Sequence, residues 1–313
     1  MAIIFLQPVF QARIWGGTVL QKWFPAASLG PKIGEAWVIS AHPNGSSIVE
    51  SGQYKGKTLD VLYEEEPELF GYPSATKFPL LVKILDATKD LSVQVHPNDI
   101  DAQKVGEAHG KTECWYVLDA KPKAKIILGH TAKNAKEFLK QVQKNNWRKL
   151  VSEISIKKDD FVYIPSGTVH ALGAGSVVLE VQQSSDTTYR LYDYNRTDEA
   201  GNKRALHIEE ALDVITFPNE KMPVNQEIFE SGKNTVFTLI DNEFFTVKKL
   251  RIKEQFEYKR PVHYVLVTVI AGAGTVNGEA IVQGTSFIIP STVSDVVFDG
   301  AFEAIVAYTS SLN

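Results

Sequence analysis

The segment LSVQVHPND, residues 91–99, sets Ser92, Gln94 and His96 two apart in a strand-like run. Side chains alternate along a strand, so these three share one face while Leu91, Val93 and Val95 take the other. Three polar groups on one face of an apolar strand either meet solvent or belong to a site. A second segment, HGKTECWYVLDA (residues 109–120), places Lys111, Glu113 and Trp115 on one side at the start of a strand. In a third, His170 follows Pro165 and Gly167 in the spacing P-x-G-x-x-H, whose turn residues aim a short strand and its histidine inward. Together His96, Glu113 and His170, with Gln94 as a neutral oxygen donor, offer two imidazoles, a carboxylate and an amide. Zinc, one ion per chain, is the expected cofactor for such a set, though iron or manganese would accept the same donors. The lack of thiolate donors argues against a purely structural zinc.

The run LEVQQSSDTTYRLYDYNR (residues 179–196) returns Glu180, Asp186 and Arg190 toward the same mouth through a strand, a turn and a strand. A permanently charged guanidinium suits a developing oxyanion or a phosphate. The plainer alternative is a structural pair of Arg190 with Asp186 or Glu180. Other histidines invite modest readings: His42, His130 and His207 as structural or solvated, His263 as remote, and His109 as undecided. Trp15, Gly16 and Gly17 shape either a loop over the pocket or a tight turn. Lys121, Lys123 and Lys125 read as the guard of an exposed edge strand.

The elements that must position these residues are mostly strands. PLLVKIL, LSVQV, ECWYVL, AKIILG, FVYIP, SVVLEVQQ, FFTVKKLRI, HYVLVTVI, TVNGEAIV, TSFIIP and FEAIVAY are short, β-branched or aromatic, and bounded by turn residues. Helical periodicity is confined to residues 58–69, 134–147 and 207–215, and more weakly to 98–108. One unit occurs twice: DDFVYIPSGTVH (159–170) and GTSFIIPSTVSD (284–295) share a turn, a buried strand and a closing proline. The second copy has Asp295 where the first has His170. A polar stretch after Pro218 reads as a linker. The expectation is a mainly β protein of two β-barrels with a small helical part. Residues 1–235 would form the catalytic unit and 236–313 a barrel without metal.

With 313 residues, 44% hydrophobic and 22% charged, the chain has the composition of an ordered globular protein. A net charge of −4 offers no basic surplus for nucleic acid. One cysteine, Cys114, excludes an internal disulfide. No 18-residue apolar stretch and no signal-peptide pattern are found, so no membrane partner and a cytoplasmic location are expected. No glycine-rich nucleotide loop is present.

The spacing around His170 resembles the second motif of the cupin family. QVHP, GKTECWYVLDA, P-x-G-x-x-H and LEVQQSSDTTYRLYDY, together with RIWGG (13–17) and GEAWVISAHPNGSS (34–47), resemble the short bacterial form of type I mannose-6-phosphate isomerases. The resemblance implies cupin jelly rolls and a zinc-dependent isomerase of mannose 6-phosphate and fructose 6-phosphate, with a sugar phosphate as its small-molecule partner. It assigns Gln94, His96, Glu113 and His170 to the zinc and Arg190 to the active site. Ser92, Lys111, Glu180 and Asp186 line the pocket, with Lys111 serving ring opening or holding an oxygen. The base remains open among Glu180, Asp186, Lys111 and hydroxide at the metal. Two rivals are a metal-dependent cupin dioxygenase and a non-catalytic sugar-phosphate binder.

Overall fold

Alternation within the strands decides the layers. Along Glu113–Ala120, Cys114, Tyr116 and Leu118 enter one apolar core while Trp115 and Val117 enter another. The same parity sends Leu179 and Val181 of Ser176–Gln183 one way and Val178 the other. A sheet buried on both faces needs two partners, and this one has them. The computed structural model describes residues 2–197, 200–220 and 227–309.

The central sheet runs Phe161–Ile164, Glu113–Ala120, Ser176–Gln183, Leu80–Ala87, Val9–Gly17, Ile33–Ile39, with every pairing antiparallel. Facing it is a five-stranded sheet in the order Val151–Ser155, Lys125–His130, His170–Leu172, Val93–Val95, Tyr189–Tyr192. Trp115, Leu85 and Val178 from the first meet Ile126 and Leu172 from the second in a shared core. The outer face of the five-stranded sheet is covered by helices Ala135–Gln143, Trp147–Leu150 and Ile208–Val214, through Phe138, Trp147 and Ala211. On the other side of the central sheet lies a ten-stranded sheet wrapped on its own core of Leu250, Val267, Phe287 and Phe298. These sheets do not close into continuous barrels; stacked antiparallel layers give the sandwich form of the jelly roll.

The division at residue 235 does not separate the sheets. Ile4–Gln7 pairs with Ser286–Ile289 of the C-terminal sheet, and Ile48–Val49 pairs with Ile4–Gln7 in turn. The expected linker also holds a strand, Glu227–Ser231, paired to Asn234–Asp241, while residues 221–226 lie outside the described residues. The duplicated unit is present in both halves. Asp159 (φ 72°) and Gly284 (φ 94°) make the corresponding left-handed turn residues before strands Phe161–Ile164 and Ser286–Ile289.

Helices are shorter than their periodicity. The 58–69 pattern becomes Leu59–Glu65 and a separate turn Pro67–Phe70, since proline lacks the N–H and restricts the residue before it. The 134–147 pattern stops at Gln143, and Trp147 starts a new turn after Asn145 at φ 54°. Asn134 and Asn98 cap their helices by accepting from the amides of Glu137 and Asp101. TVNGEAIV is a hairpin, not one strand, because Asn277 and Gly278 both take positive φ. Lys125 opens a strand paired on both sides, so the expected edge is absent there; its ammonium meets Glu153 at 2.9 Å. Among the described residues no helix is long and apolar enough to cross a membrane.

Candidate metal centre and active-site cavity

The space between the central and five-stranded sheets is apolar at one end and polar at the other. Inward parity puts Lys83, Glu113 and Glu180 on the central sheet opposite Gln94 and His170. His170 is paired directly with Gln94 across the strands. His96 follows the Val93–Val95 strand, with its carbonyl accepting from the Gly167 amide, so the P-x-G turn is tied to the QVHP segment. Val93 and Val95 point outward into the helical core, whereas Leu91, before the strand, turns into the cavity.

Both imidazoles have a fixed tautomer. The Nδ1–H of His96 donates to the Thr187 carbonyl and that of His170 to the Thr168 carbonyl, each at 2.9 Å. A carbonyl only accepts, so each Nε2 carries a bare lone pair. These lone pairs face the Glu113 carboxylate, His170 Nε2 at 3.2 Å from Oε1 and His96 Nε2 at 3.5 Å from Oε2. The Gln94 amide nitrogen lies 3.3 Å from His170 Nε2, and rotating the amide by half a turn brings its oxygen there. Glu113 Oε1, Oε2 and His96 Nε2 are buried without a hydrogen-bond partner. Burying polar atoms this way is costly unless something satisfies them.

The donor atoms of His96, Glu113 and His170 lie within 4.8 Å of one another. Ligands about 2.0–2.2 Å from an ion at tetrahedral angles stand roughly 3.3–3.6 Å apart. The separations of 3.2 and 3.5 Å between the imidazole nitrogens and the carboxylate oxygens lie close to that spacing, so the residues fit a divalent ion. Their charge states match too. Burial pushes the Glu113 carboxyl up, but the Lys111 ammonium leads the groups that outweigh it and hold it well below the usual carboxylate range. Burial and then Lys111 hold His96 well below its ordinary value. Ligating forms require a carboxylate and neutral imidazoles.

Above the cluster opens a cavity of about 420 Å³, lined by Ser92, Gln94, Lys111, Glu180, Asp186 and Arg190. Lys111 Nζ is 3.4 Å from Glu113 Oε2; burial disfavours its charge, but Glu113, Glu180 and Asp186 more than restore it. Glu180 accepts from Trp115 Nε1 at 2.8 Å and lies 3.7 Å from Lys83. Burial and the charge of Glu113 push its carboxyl up against Lys111 and Lys83. Asp186 accepts from Asn44 Nδ2 at 3.0 Å; burial raises its carboxyl, and Lys83 and Lys111 outweigh that. Arg190 donates to Ser92 Oγ at 3.3 Å and to the Ala205 carbonyl at 3.0 Å. Neither contact involves Asp186 or Glu180, so the structural pair considered for Arg190 is not what the fold makes.

Every site residue expected from the sequence therefore lies at this cavity or directly beneath it. Four further charged residues join them: Lys83, Glu35, Arg13 and Arg204. Lys83 is a buried lysine between Val82 and Ile84, and an inward charge in an apolar run is the signal that could have found it. Glu35 carries a similar signal in IGEAWVI; Arg13 binds both its oxygens, at 2.9 and 3.1 Å. Trp15 is in the core between the two sheets as well as the cavity wall, while Gly16 and Gly17 approach Lys32 and Asp86 too closely for a Cβ, so the two glycines of RIWGG serve packing. The remaining histidines have other work. His207 Nδ1 accepts from the Arg190 amide, His130 bonds the Thr216 carbonyl, and His42 Nδ1 accepts from the Asn44 amide. His109 lines a different cavity with Tyr63 and Gln183, and exposed His263 packs against Gly71.

Residues 3–135 match the model of the phosphomannose isomerase type I catalytic domain, and residues 235–309 that of the mannose-6-phosphate isomerase cupin domain. A mannose-6-phosphate isomerase of Streptococcus mutans is 45% identical over 311 residues, covering 98% of each chain. Mannose-6-phosphate isomerase ManA of Bacillus subtilis is 42% identical over 313 residues, covering 97% of this chain and 98% of its own. The crystal structure of a mannose 6-phosphate isomerase from Bacillus subtilis superposes with a TM-score of 0.96 at 41% identity, over 98% of this chain and 100% of that one. With likeness of this extent across both units and the site between the sheets, the chain belongs to the type I mannose-6-phosphate isomerase family.

Proposed function

We propose that the protein interconverts mannose 6-phosphate and fructose 6-phosphate and that the reaction depends on one zinc ion held by Gln94, His96, Glu113 and His170. The observation that carries this reading is the buried convergence of Glu113 and the two histidines, with both carboxylate oxygens and His96 Nε2 lacking a hydrogen-bond partner, under a cavity lined by Lys111 and Arg190. Nitrogen and oxygen donors without thiolate favour zinc in an open, catalytic setting. Such an ion supplies Lewis acidity toward a carbonyl or hydroxyl oxygen when bound. The first unit, residues 1–235, would carry the chemistry, with 236–313 as its metal-free companion. A cytoplasmic location accords with this reading, since Cys114 is a buried free thiol.

The isomerisation moves the C2 proton of the aldose to C1 and the O2 hydroxyl proton to O1, through an enediol. A carboxyl raised toward neutrality by burial is suited to carry such a proton. Glu180 has that environment, and Trp115 and Lys83 fix its orientation. Arg190, held by Ser92 and the Ala205 carbonyl, is aimed at charge developing on the enediolate oxygens. Lys111, kept charged by Glu113 and Glu180, holds a sugar oxygen and gives the ring-opening proton a path. Asp186, fixed by Asn44, receives sugar hydroxyls, and Ser92 carries the link from Arg190 toward the far side of the Gln94 amide, 3.4 Å away. A dioxygenase has no use for this lysine–arginine wall, and a passive binder has none for the orphaned carboxylate.

The test is a coupled assay on mannose 6-phosphate, with metal analysis of the purified protein. Turnover that falls on chelation and returns with zinc is expected. Full turnover in protein stripped of all divalent metal would overturn the zinc assignment, and absence of turnover in zinc-loaded protein would overturn the isomerase reading.

A further inference from the structure

The cavity is electrically polarised. Beneath it, the carboxylates of Glu113, Glu180 and Asp186 face the ammonium groups of Lys83 and Lys111. At its mouth stand Arg13, Arg190 and Arg204. Arg13 is spent: Nε and Nη2 bind the two oxygens of Glu35, and Nη1 donates to the Ala12 carbonyl. The other side is different. Asp193, only 5% exposed, accepts from Arg204 Nε at 2.8 Å and Nη2 at 2.6 Å, and also from Arg196 Nη2 at 2.5 Å. One carboxylate therefore serves two guanidiniums, and Arg190 lines the same cavity as Arg204, with burial first and Arg204 second disfavouring its charge. The result is a local positive excess at a cavity wall.

We propose that Asp193 is a positioning residue whose buried carboxylate holds Arg204 at the cavity wall it shares with Arg190, and that Arg204 grips the phosphate of the substrate while Arg190 keeps its place at the reacting oxygens. The inference rests on the sugar-phosphate reading above and assigns the group that holds the phosphate. Geometry supports the division of labour. Asp193 takes the Nε–Nη2 edge of Arg204, and among the described residues no protein acceptor meets its Nη1. Arg190 likewise uses Nε and Nη1, leaving Nη2 without a protein acceptor among the described residues. The open nitrogen of Arg204 is thus available to a phosphate oxygen, and that of Arg190 to the enediolate. Arg196 takes the remaining pull of Asp193 and donates to the Asp90 carbonyl, which ties the segment to the start of the 91–99 strand. The phosphate then lies at the Arg204 end, and the carbons that react lie toward Arg190 and the metal cluster.

Arg204→Gln, Asp193→Asn and Asp193→Glu in the metal-loaded enzyme test this, with inorganic phosphate as the probe. Arg204→Gln should raise KM for mannose 6-phosphate and weaken competitive inhibition by inorganic phosphate together, by about tenfold or more, with kcat within about threefold and metal content unchanged. Asp193→Asn should move the same two quantities in the same direction, and Asp193→Glu should recover part of the loss. Unchanged phosphate inhibition and KM in Arg204→Gln would overturn the proposal, as would a fall in kcat alone. If Asp193→Asn does not fold, Arg204→Lys replaces it, with a smaller shift in both quantities expected. Direct titration with inorganic phosphate separates the two readings. Arg204-dependent binding by a wild type that does not isomerise mannose 6-phosphate would sink the activity and keep the clamp, whereas an active enzyme indifferent to Arg204 would sink the clamp alone.

Discussion

The two copies of the turn–strand–proline unit are alike in backbone and opposite in lining. In the first, the strand Phe161–Ile164 leads through Pro165 and Gly167 to His170, fully buried and aimed at Glu113. In the second, Ser286–Ile289 leads through Pro290 to Asp295, which is exposed and meets its neighbour Ser294. Around the first copy, inward positions carry Lys83, Gln94, Glu113 and Glu180; around the second they carry Leu250, Val267, Phe287 and Phe302. The apolar version is the cheaper interior. Each buried charge in the first copy costs free energy unless it is paired, so that cost is tolerable only where partners and a ligand answer it. The difference locates function in the lining of a shared scaffold, not in the scaffold.

The largest effect should come from removing a histidine of the first copy. His170→Ala is expected to lose the metal and to lower kcat by about 10³-fold, while circular dichroism stays that of the folded protein. The core of the first unit is built by Trp115, Leu85, Ile126 and Val178 and does not need the imidazole. Metal analysis showing full zinc content with normal turnover would remove His170 from the centre.

Next is Arg190→Lys, which keeps charge and loses the planar fork. We expect kcat to fall by about 10²–10³-fold. Zinc should be retained, and KM should move less than kcat, because Arg190 faces the enediolate. A large rise in KM at constant kcat would confine Arg190 to the phosphate. That outcome would leave the charge of the reacting centre to Lys111.

How much of this was legible before the fold is visible in which residues stood out. His96, Glu113 and His170 did, because each interrupts an apolar or turn-bounded run with a metal-binding group. Lys83 carries the same signal but sits inside PLLVKIL, a run that reads as ordinary buried strand, and only its register with Glu180 shows what it faces. Asp193 and Arg204 lie in irregular chain, where no periodicity reports on pairing. The Ile4–Gln7 strand was readable as extended, but its partner lies some 280 residues away, and long-range pairing leaves no local trace in composition. Proline at 67 was legible and still underweighted, since the apolar spacing continued beyond it.

A smaller effect concerns the strap between the two units. Buried Lys249 reaches across to Tyr116 Oη at 2.6 Å and Asp159 at 3.3 Å, and to Glu303 on its own sheet at 3.0 Å. Burial raises both carboxyls, but for Asp159 the bonds from Tyr116 and Lys249 prevail, and for Glu303 those from Arg251 and Lys249. A carboxyl lowered in the folded state binds its proton more readily in the unfolded one. Its contribution is therefore complete above the ordinary values of 3.8 and 4.5 and is lost as pH falls through the folded values. Lys249→Met should lower Tm near pH 7, and the gap to wild type should close as pH drops below about 4. Melting curves with a gap that is constant across that window would show that the strap acts by packing alone.

The smallest effect is the one that tests whether the second copy lacks only a histidine. Asp295→His restores the residue type that the first copy has at this place. It should recruit no ion. A transition-metal site needs several donors converging, and among the described residues the His96–Glu113–His170 group is the one set of three donors that converges. Asp295 is exposed, its carbonyl accepts from Asn277 Nδ2 at 2.9 Å, and the core beneath it is Val293, Val296 and Phe298. A new imidazole would stand in water beside a hydroxyl and an amide, neither of which holds zinc unaided. Stability should change by no more than about 0.5 kcal/mol, as for other surface substitutions without buried partners. Metal analysis should still give one ion per chain, and removing His170 in the same variant should give none. A second equivalent of zinc in Asp295→His would mean that the scaffold itself preforms a site at this turn, and that the apolar lining of the second copy is not what denies it a metal.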